Sequence, residues 1–255
     1  MNTLHILPNE RTADVLRRAG VPKESIYAFP VLLAETDRYL WEYYVPNEIE
    51  KYDKIIVWHG NDANSLLLLA LFCSLKLPLW HIDASKHKHL LYQHKVITTR
   101  KINSINMVTM SEMGVRLLYG KEKPVRWWQV LWNKRRWNYF VEHSDDVVQQ
   151  HRRGLYGFDK KFAYDFCYLN VSETFQPMTS IIVKILMHMA EEKVFVSEAF
   201  VAKCLDDLAE AGHLEKRPIT SRAKEKLGHL TDVNYEIRKI KESNDINNNE
   251  NDSRN

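Results

Sequence analysis

The densest polar cluster in the N-terminal half of the chain is His59-Gly60-Asn61-Asp62-Ala63-Asn64: an imidazole, two amides, a carboxylate and a glycine directly before a strongly apolar segment. Such side chains donate, accept and exchange protons, and the unpaired N–H groups at the start of a following helix add fixed donors. Asn9 and Glu10, Glu35, and Asp83 with Ser85 fall in matching places, each just after another apolar run. The ligand-binding candidates are therefore Asn9, Glu10, Glu35, His59, Asn61, Asp62, Asn64 and Asp83. Glu35 and Asp83 beside His59 would supply acid and base, but no catalytic set is identifiable among them. The same residue types also have a structural use: Asp62 or Asn61 can cap a helix, worth about 1 kcal/mol, and Gly60 can serve a turn. Both uses stay open on the residues alone.

Two other segments carry chemistry-bearing side chains. His81, His87, His89 and His94 form a histidine-rich neighbourhood, but Lys86, Lys88 and Lys95 between them repel a cation and nothing fixes a third ligand, so no metal site is expected. Ser85 to Lys101 contains five Lys or Arg and no acid, and it reads as a solvated basic loop or a modest anion-facing patch. Arg126 to Tyr139 places Trp127, Trp128, Trp132 and Trp137 among Lys134, Arg135 and Arg136. That mixture suits a stacking and phosphate platform. The helical spacing of Trp128, Leu131, Trp132 and Arg135 instead favours a face packed into a core with arginines outside.

Missing signatures narrow the field. The turn Pro8-Asn9-Glu10-Arg11-Thr12 has no glycine, so the dinucleotide fingerprint is absent, and no phosphate loop, nucleophile elbow, zinc-protease helix or calcium loop occurs. No cofactor is called for. Cys73, Cys167 and Cys204 lack CxxC spacing, which suggests neither zinc nor a disulfide framework and fits a reducing compartment.

The elements that must position these residues alternate. Leu4 to Leu7 reads as a strand, Arg11 to Ala19 as a helix ended by Gly20, and Ser25 to Leu33 as a second strand, near an edge because Pro30 lies inside it. An aromatic helical stretch follows through Arg38, Trp41 and Tyr44. Lys54 to Trp58 is a continuous apolar run typical of a central parallel strand, and Asn64 to Leu75 is an almost wholly apolar helix. Pro78 to Ile82 gives a fourth strand, Ile105 to Met110 a fifth, and Glu112 to Tyr119 a short helix. Strand–helix alternation implies a mostly parallel open sheet, whose ligands bind at the carboxyl ends of the strands, where the candidates lie.

Helix-rich texture from Lys121 places a domain boundary near Gly120 to Pro124. The expected layout is an open α/β domain over 1–120 with helices flanking its sheet, a smaller helical domain over 121–242, and a disordered polar tail over 243–255. Thr179 to Met189 and Ser197 to Ala211 read as helices, and the run from Leu205 to Leu214 resembles the last helix and wing of a winged helix. That helix carries Glu198, Asp206, Asp207 and Glu210, which phosphates would repel, so DNA binding is not expected of it.

With 36 basic and 33 acidic residues the net charge is +3, too small to imply a polyanion partner. Glu10 and Arg11 stand where a signal peptide needs its apolar stretch, and Leu66 to Cys73 is too short to span a bilayer. A soluble cytoplasmic protein with no membrane partner is expected.

Leu4-His5-Ile6-Leu7, Leu16-Arg17-Arg18-Ala19-Gly20, Leu32-Leu33-Ala34-Glu35 and Val57-Trp58-His59-Gly60-Asn61-Asp62 resemble, in that order, a bacterial domain-of-unknown-function family, number 1835. Trp128-Gln129-Val130-Leu131 with Asn133, the run from Leu205 to Glu215 and Tyr235-Glu236-Ile237-Arg238 resemble a second such family, number 3658. The resemblance covers most of residues 3–240 and implies the two-domain architecture without an activity. Family members commonly have a glycine and an acid in the first turn and Glu-Gly-Pro after the second strand, where this chain has Asn9-Glu10 and Glu35-Thr36-Asp37. The expected function is a binding or regulatory protein recognising a small polar or phosphorylated ligand at the strand-end edge. The alternatives are an enzyme acting on a nucleotide-like or phosphorylated substrate at the same edge, and a nucleic-acid-binding regulator acting through the C-terminal domain. That domain is expected to pack on the first domain or on a protein partner.

Overall fold

The computed structural model describes residues 2–35, 38–86, 89–92, 95–98, 112–143, 147–151, 154–191, 196–219 and 235–240. The chain divides into two compact units, Met1–Asp159 and Lys160–Asn255.

The first unit runs β1 (Thr3–Leu7), α1 (Glu10–Arg18), β2 (Ile26–Ala28), β3 (Lys54–His59), α2 (Ala63–Ser74), β4 (Leu79–Asp83), β5 (His89–Tyr92), β6 (Lys95–Thr98), α3 (Glu112–Leu118), β7 (Lys123–Pro124), α4 (Trp127–Glu142), β8 (Val147–His151) and β9 (Gly154–Phe158). Five strands form one sheet in the order β2-β1-β3-β4-β7. The pairs β1–β2, β1–β3 and β3–β4 are parallel, and β7 runs antiparallel to β4. The fold is thus α/β, a mostly parallel sheet flanked by helices, with the continuous apolar run Lys54 to Trp58 on its middle strand.

Alternation along the strands sorts side chains onto two covered faces. Leu4, Ile6, Ile55, Val57 and Leu79 pack with Leu67 and Leu71 of α2 and with Trp137 and Phe140 of α4. Leu7, Ile56, Trp58 and Ile82 pack on the other face with Ala13 and Leu16 of α1 and with Val115 and Leu118 of α3. Gly20 ends α1 with φ +95°, a backbone position that favours glycine.

Several elements differ from the sequence expectation. β2 ends at Ala28, and its last ladder contact is the Phe29 N–H donating to Leu7 O at 2.8 Å. Pro30, next after Phe29 on this edge strand, falls where an N–H would point away from β1, and Val31 to Leu33 leave the sheet. Arg38–Tyr44 is a 3-10 helix, and its Tyr44 carbonyl accepts from the Tyr27 hydroxyl at 2.8 Å. The expected fifth strand at 105–110 lies outside the described residues, and the fifth strand of the sheet is β7. The basic stretch 85–101 holds the antiparallel hairpin β5–β6, with Tyr92 opposite Lys95.

The largest correction concerns α4. Trp128, Leu131 and Trp132 are exposed, while Asn133, Trp137 and Phe140 are buried. The helix sits half a turn away from the expected phase: its charge-free arc of Val130, Asn133, Trp137 and Phe140 meets the core, and Arg135 lies within the outward stripe. Asn133 is satisfied there, donating from Nδ2 to Gln129 O at 2.9 Å and accepting from Arg136 at 3.1 Å. The structure draws the division after Asp159 rather than near 120–124, because α4 and Val148 belong to the core of the first unit.

The second unit runs α5 (Lys160–Asn170), β10 (Gln176–Pro177), α6 (Met178–Glu191), α7 (Glu198–Glu210), β11 (Leu214–Pro218) and β12 (Tyr235–Lys239), with an antiparallel sheet ordered β10-β12-β11. Ser197 caps α7 by accepting from Phe200 N at 3.0 Å, and Phe200, Val201, Cys204, Leu205 and Leu208 point inward. Gly212 follows with φ +79°. Residues 220–234, where the wing would lie, and the expected disordered tail fall outside the described residues, as does most of Val194-Phe195-Val196.

Candidate functional site at the carboxyl edge of the parallel sheet

Three sequence-selected side chains do the same local work on adjoining strands. Asn9 caps α1, its Oδ1 accepting from Thr12 N at 2.9 Å. Asp62 caps α2, accepting from Ser65 N at 3.0 Å and from the Ser65 hydroxyl at 2.6 Å. Asp83 ends β4, and its Oδ1 accepts from Ser85 N at 3.1 Å and from the Ser85 hydroxyl at 2.5 Å. Each short Asx side chain thus turns the chain out of its strand, and at Asp62 this is the capping role that the sequence left open.

The register brings several candidates together. His59 stands opposite Asp83 on neighbouring parallel strands. Asn64, in the first turn of α2, donates from Nδ2 to Pro8 O at 3.3 Å and so ties the end of β3 to the end of β1, one residue from Asn9. Asn61 lies between His59 and the cap, partly buried. Glu35 follows β2 and is separated from β3 by β1 in the sheet order; its N–H donates to Leu32 O at 2.9 Å. Glu10 departs from the expected site: its carboxylate is 64% exposed and pairs with Arg17 along α1, where it also complements the helix dipole.

A residue that the sequence reading grouped with the basic loop belongs here instead. His81 is buried on β4, and its Nδ1 lies 2.9 Å from His59 Nε2. The rings are within 3° of coplanar with centroids 5.2 Å apart, the geometry of an in-plane hydrogen bond rather than of stacked faces. His59 Nδ1 lies 2.8 Å from Gly60 O, and a carbonyl can only accept, so that nitrogen carries a proton. With His59 neutral, its Nε2 is the acceptor, and His81 Nδ1–H donates to it. One proton is therefore shared between two buried rings, with its direction set by a backbone carbonyl. The signal for His81 was present in the sequence: a polar residue inside the apolar run Leu79 to Ile82 must find a partner when buried.

The electrostatics of this edge are acceptor-rich. Burial pushes the Asp62 carboxyl up from its ordinary value, against the pull of the Ser65 donors and nearby His59. Among the described residues, the buried Asn64 Oδ1 has no hydrogen-bond partner. Among the described residues no three His, Cys, Asp or Glu side chains gather as a metal site.

A third buried histidine lies on the opposite face of the sheet. His5 Nδ1 accepts from Trp58 Nε1–H at 3.0 Å, and the Tyr119 ring lies against it. Burial lowers its pKa to about 4, with Glu122 pulling it up and Lys54 pushing it down. Two surface cavities lie away from the strand-end edge. One of about 190 Å³ is lined by Ala19, Gly20, Val21, Val115, Arg116 and Tyr119, at the end of α1 remote from Asn9, and one of about 320 Å³ lies in the second unit beside Asp206 and Lys216. Among the described residues no helix is long and apolar enough to cross a membrane. Comparison of the chain with family models, with curated proteins and with solved structures gave no match.

Proposed function

We propose that the chain is a binding protein whose first unit takes up a small polar ligand at the carboxyl edge of its parallel sheet, beside His59, Asn61, Asp62, Asn64 and Asp83. The observation that carries this reading is Asn64 Oδ1, a buried acceptor with no partner among the described residues, in the first turn of the helix that follows the strand of His59. Such an atom costs about 1–3 kcal/mol, which a ligand hydroxyl or amine would recover. The ring of acceptors favours a ligand with such donors over a phosphorylated one, since phosphate oxygens would face the Asp62 carboxylate at the start of α2.

The test is a melting-temperature screen of the full chain against polyols, amino acids, nucleosides and their phosphorylated counterparts, followed by titration calorimetry of any hit. A ligand at about a hundred times its Kd stabilises the folded state by about 2.7 kcal/mol, enough to see. Affinity should fall at least about tenfold in Asn64→Leu, the loss expected when a buried hydrogen bond of about 1.4 kcal/mol or more is removed. Undiminished binding by both Asn64→Leu and His59→Gln would overturn the reading. The shared proton between His59 and His81 favours one second reading, proton transfer to or from a bound substrate. Product formation from a hit that stops in His59→Gln would establish it.

A further inference from the structure

The outward stripe of α4 is aromatic and basic at once. Trp127 is 78% exposed, Trp132 65%, Tyr139 52%, Trp128 44% and Leu131 42%. At about 100° per residue, Trp128, Leu131, Trp132, Arg135 and Tyr139 share an arc about 100° wide, with Arg135 in its middle. No Asp or Glu occurs between Lys123 and Val141, while Lys123, Arg126, Lys134, Arg135 and Arg136 do. Arg126, Lys134 and Arg135 are exposed, and none has an acidic partner among the described residues. The stripe continues past Tyr139, whose ring stacks on that of His143 with centroids 4.4 Å apart. Exposed tryptophans in one contiguous stripe mark a surface that meets something.

We propose that this face of α4 binds single-stranded nucleic acid, with the rings taking bases and the exposed cations taking phosphates. Charge complementarity names the class of partner: a polyanion meets a cationic, acid-free helix. The rings narrow it, because a base inside a duplex has both faces covered and only an unpaired base can lie on tryptophan. Spacing agrees, since Trp128 and Trp132 are separated by a rise of about 6 Å and Trp132 and Tyr139 by about 10 Å, room for successive splayed bases. The platform is also rigid, because Trp137 and Phe140 anchor the opposite side of the helix in the core. An interfacial membrane helix segregates its apolar face from its charges, whereas here Arg135 stands inside the aromatic stripe. Among the described residues, three cations of the second unit are already paired: Lys216 with Asp206 at 2.6 Å, Arg217 with Glu236 at 2.9 Å and Arg238 with Glu215 at 2.6 Å.

The experiment is fluorescence anisotropy of the full-length chain with labelled single-stranded DNA and RNA about 20 nucleotides long, with the corresponding duplex as competitor. The proposal expects micromolar or tighter single-strand binding that weakens steeply between about 50 and 200 mM salt, with the duplex bound less well. Trp132→Ala should lose roughly 5- to 150-fold in affinity, Trp128→Ala a similar factor, and Arg135→Glu should flatten the salt dependence. All three residues are exposed, so circular dichroism and melting temperature should match the unaltered chain. Failure of the unaltered chain to bind single strands at about 50 mM salt would overturn the proposal, as would binding that survives Trp128→Ala combined with Trp132→Ala. It is equally overturned if the chain ignores single strands and instead binds vesicles of three parts phosphatidylcholine to one part phosphatidylserine, or if sedimentation shows a dimer that Trp132→Ala dissociates.

Discussion

At the scale of single residues, three buried histidines inside apolar strands are held in two different ways. His59 and His81 satisfy one another, whereas His5 accepts from the Trp58 indole and has its pKa lowered to about 4 by burial. A folded-state value below the ordinary 6.5 means that the unfolded chain takes up a proton first as the solution is acidified. The stability that His5 contributes is thus fully present above pH 6.5 and is lost as the pH falls from there towards 4, by about 2 kcal/mol at pH 5. Asp62 acts in the opposite sense, since its raised value makes the folded state the better proton acceptor below neutrality. His5→Asn keeps an acceptor for Trp58 and removes the titration. Urea midpoints measured at pH 7 and pH 5 should therefore draw together in this variant, by the equivalent of about 2 kcal/mol. An unchanged pH dependence would show that His5 titrates normally. Residue type indicates a cap at Asp62 or Asn61, and the structure gives it to Asp62 and gives Asn9 the same role at α1, because Asx side chains turn a strand into a helix by local geometry. Residue type could not pair His59 with His81, since that bond depends on strand register, which a single chain does not display.

At the scale of elements, α4 shows why periodicity is an incomplete guide. Tryptophans lie on both sides of the helix, so a search for apolar spacing finds two phases of similar quality. Charge separates them: the arc of Val130, Asn133, Trp137 and Phe140 carries none, while the arc of Trp128, Leu131 and Trp132 includes Arg135. A guanidinium in a core needs a partner, so the charge-free arc is the one that burial selects. Trp137→Ala should accordingly cost about 3–5 kcal/mol, the usual range for emptying a buried aromatic site. Trp132→Ala should stay within about 0.5 kcal/mol of the unaltered chain. Chemical unfolding of both variants decides this, and equal losses would refute the phase. β1, β3 and α2 were easier to read, because a continuous apolar run covered on both faces has no competing phase. β2 is shorter than its apolar run, because apolar residues continue past Ala28 and Pro30 marks an edge strand without marking where the ladder ends.

At the scale of the whole molecule, the change in texture near 120 does not coincide with the end of the first unit, which extends to Asp159. The reason lies in α2. Leu67 to Cys73 are all buried, so the helix is apolar all round and needs cover on the side away from the sheet as well. Trp137, Phe140 and Val148 supply part of that cover, and the Val148 N–H donates to Ala34 O at 2.9 Å, binding the later segment back to the earlier one. A chain ending at residue 120 would lack this cover and also β7, leaving β4 as an open edge. Exposed apolar surface and an unpaired edge both promote association. The fragment 1–159 should therefore be soluble, monomeric and cooperative in urea, and the fragment 1–120 should aggregate or remain unfolded. Sedimentation and circular dichroism of the two fragments test the difference. A folded, monomeric 1–120 fragment would show that α2 needs no cover from α4, and would return the boundary to the place where composition alone puts it.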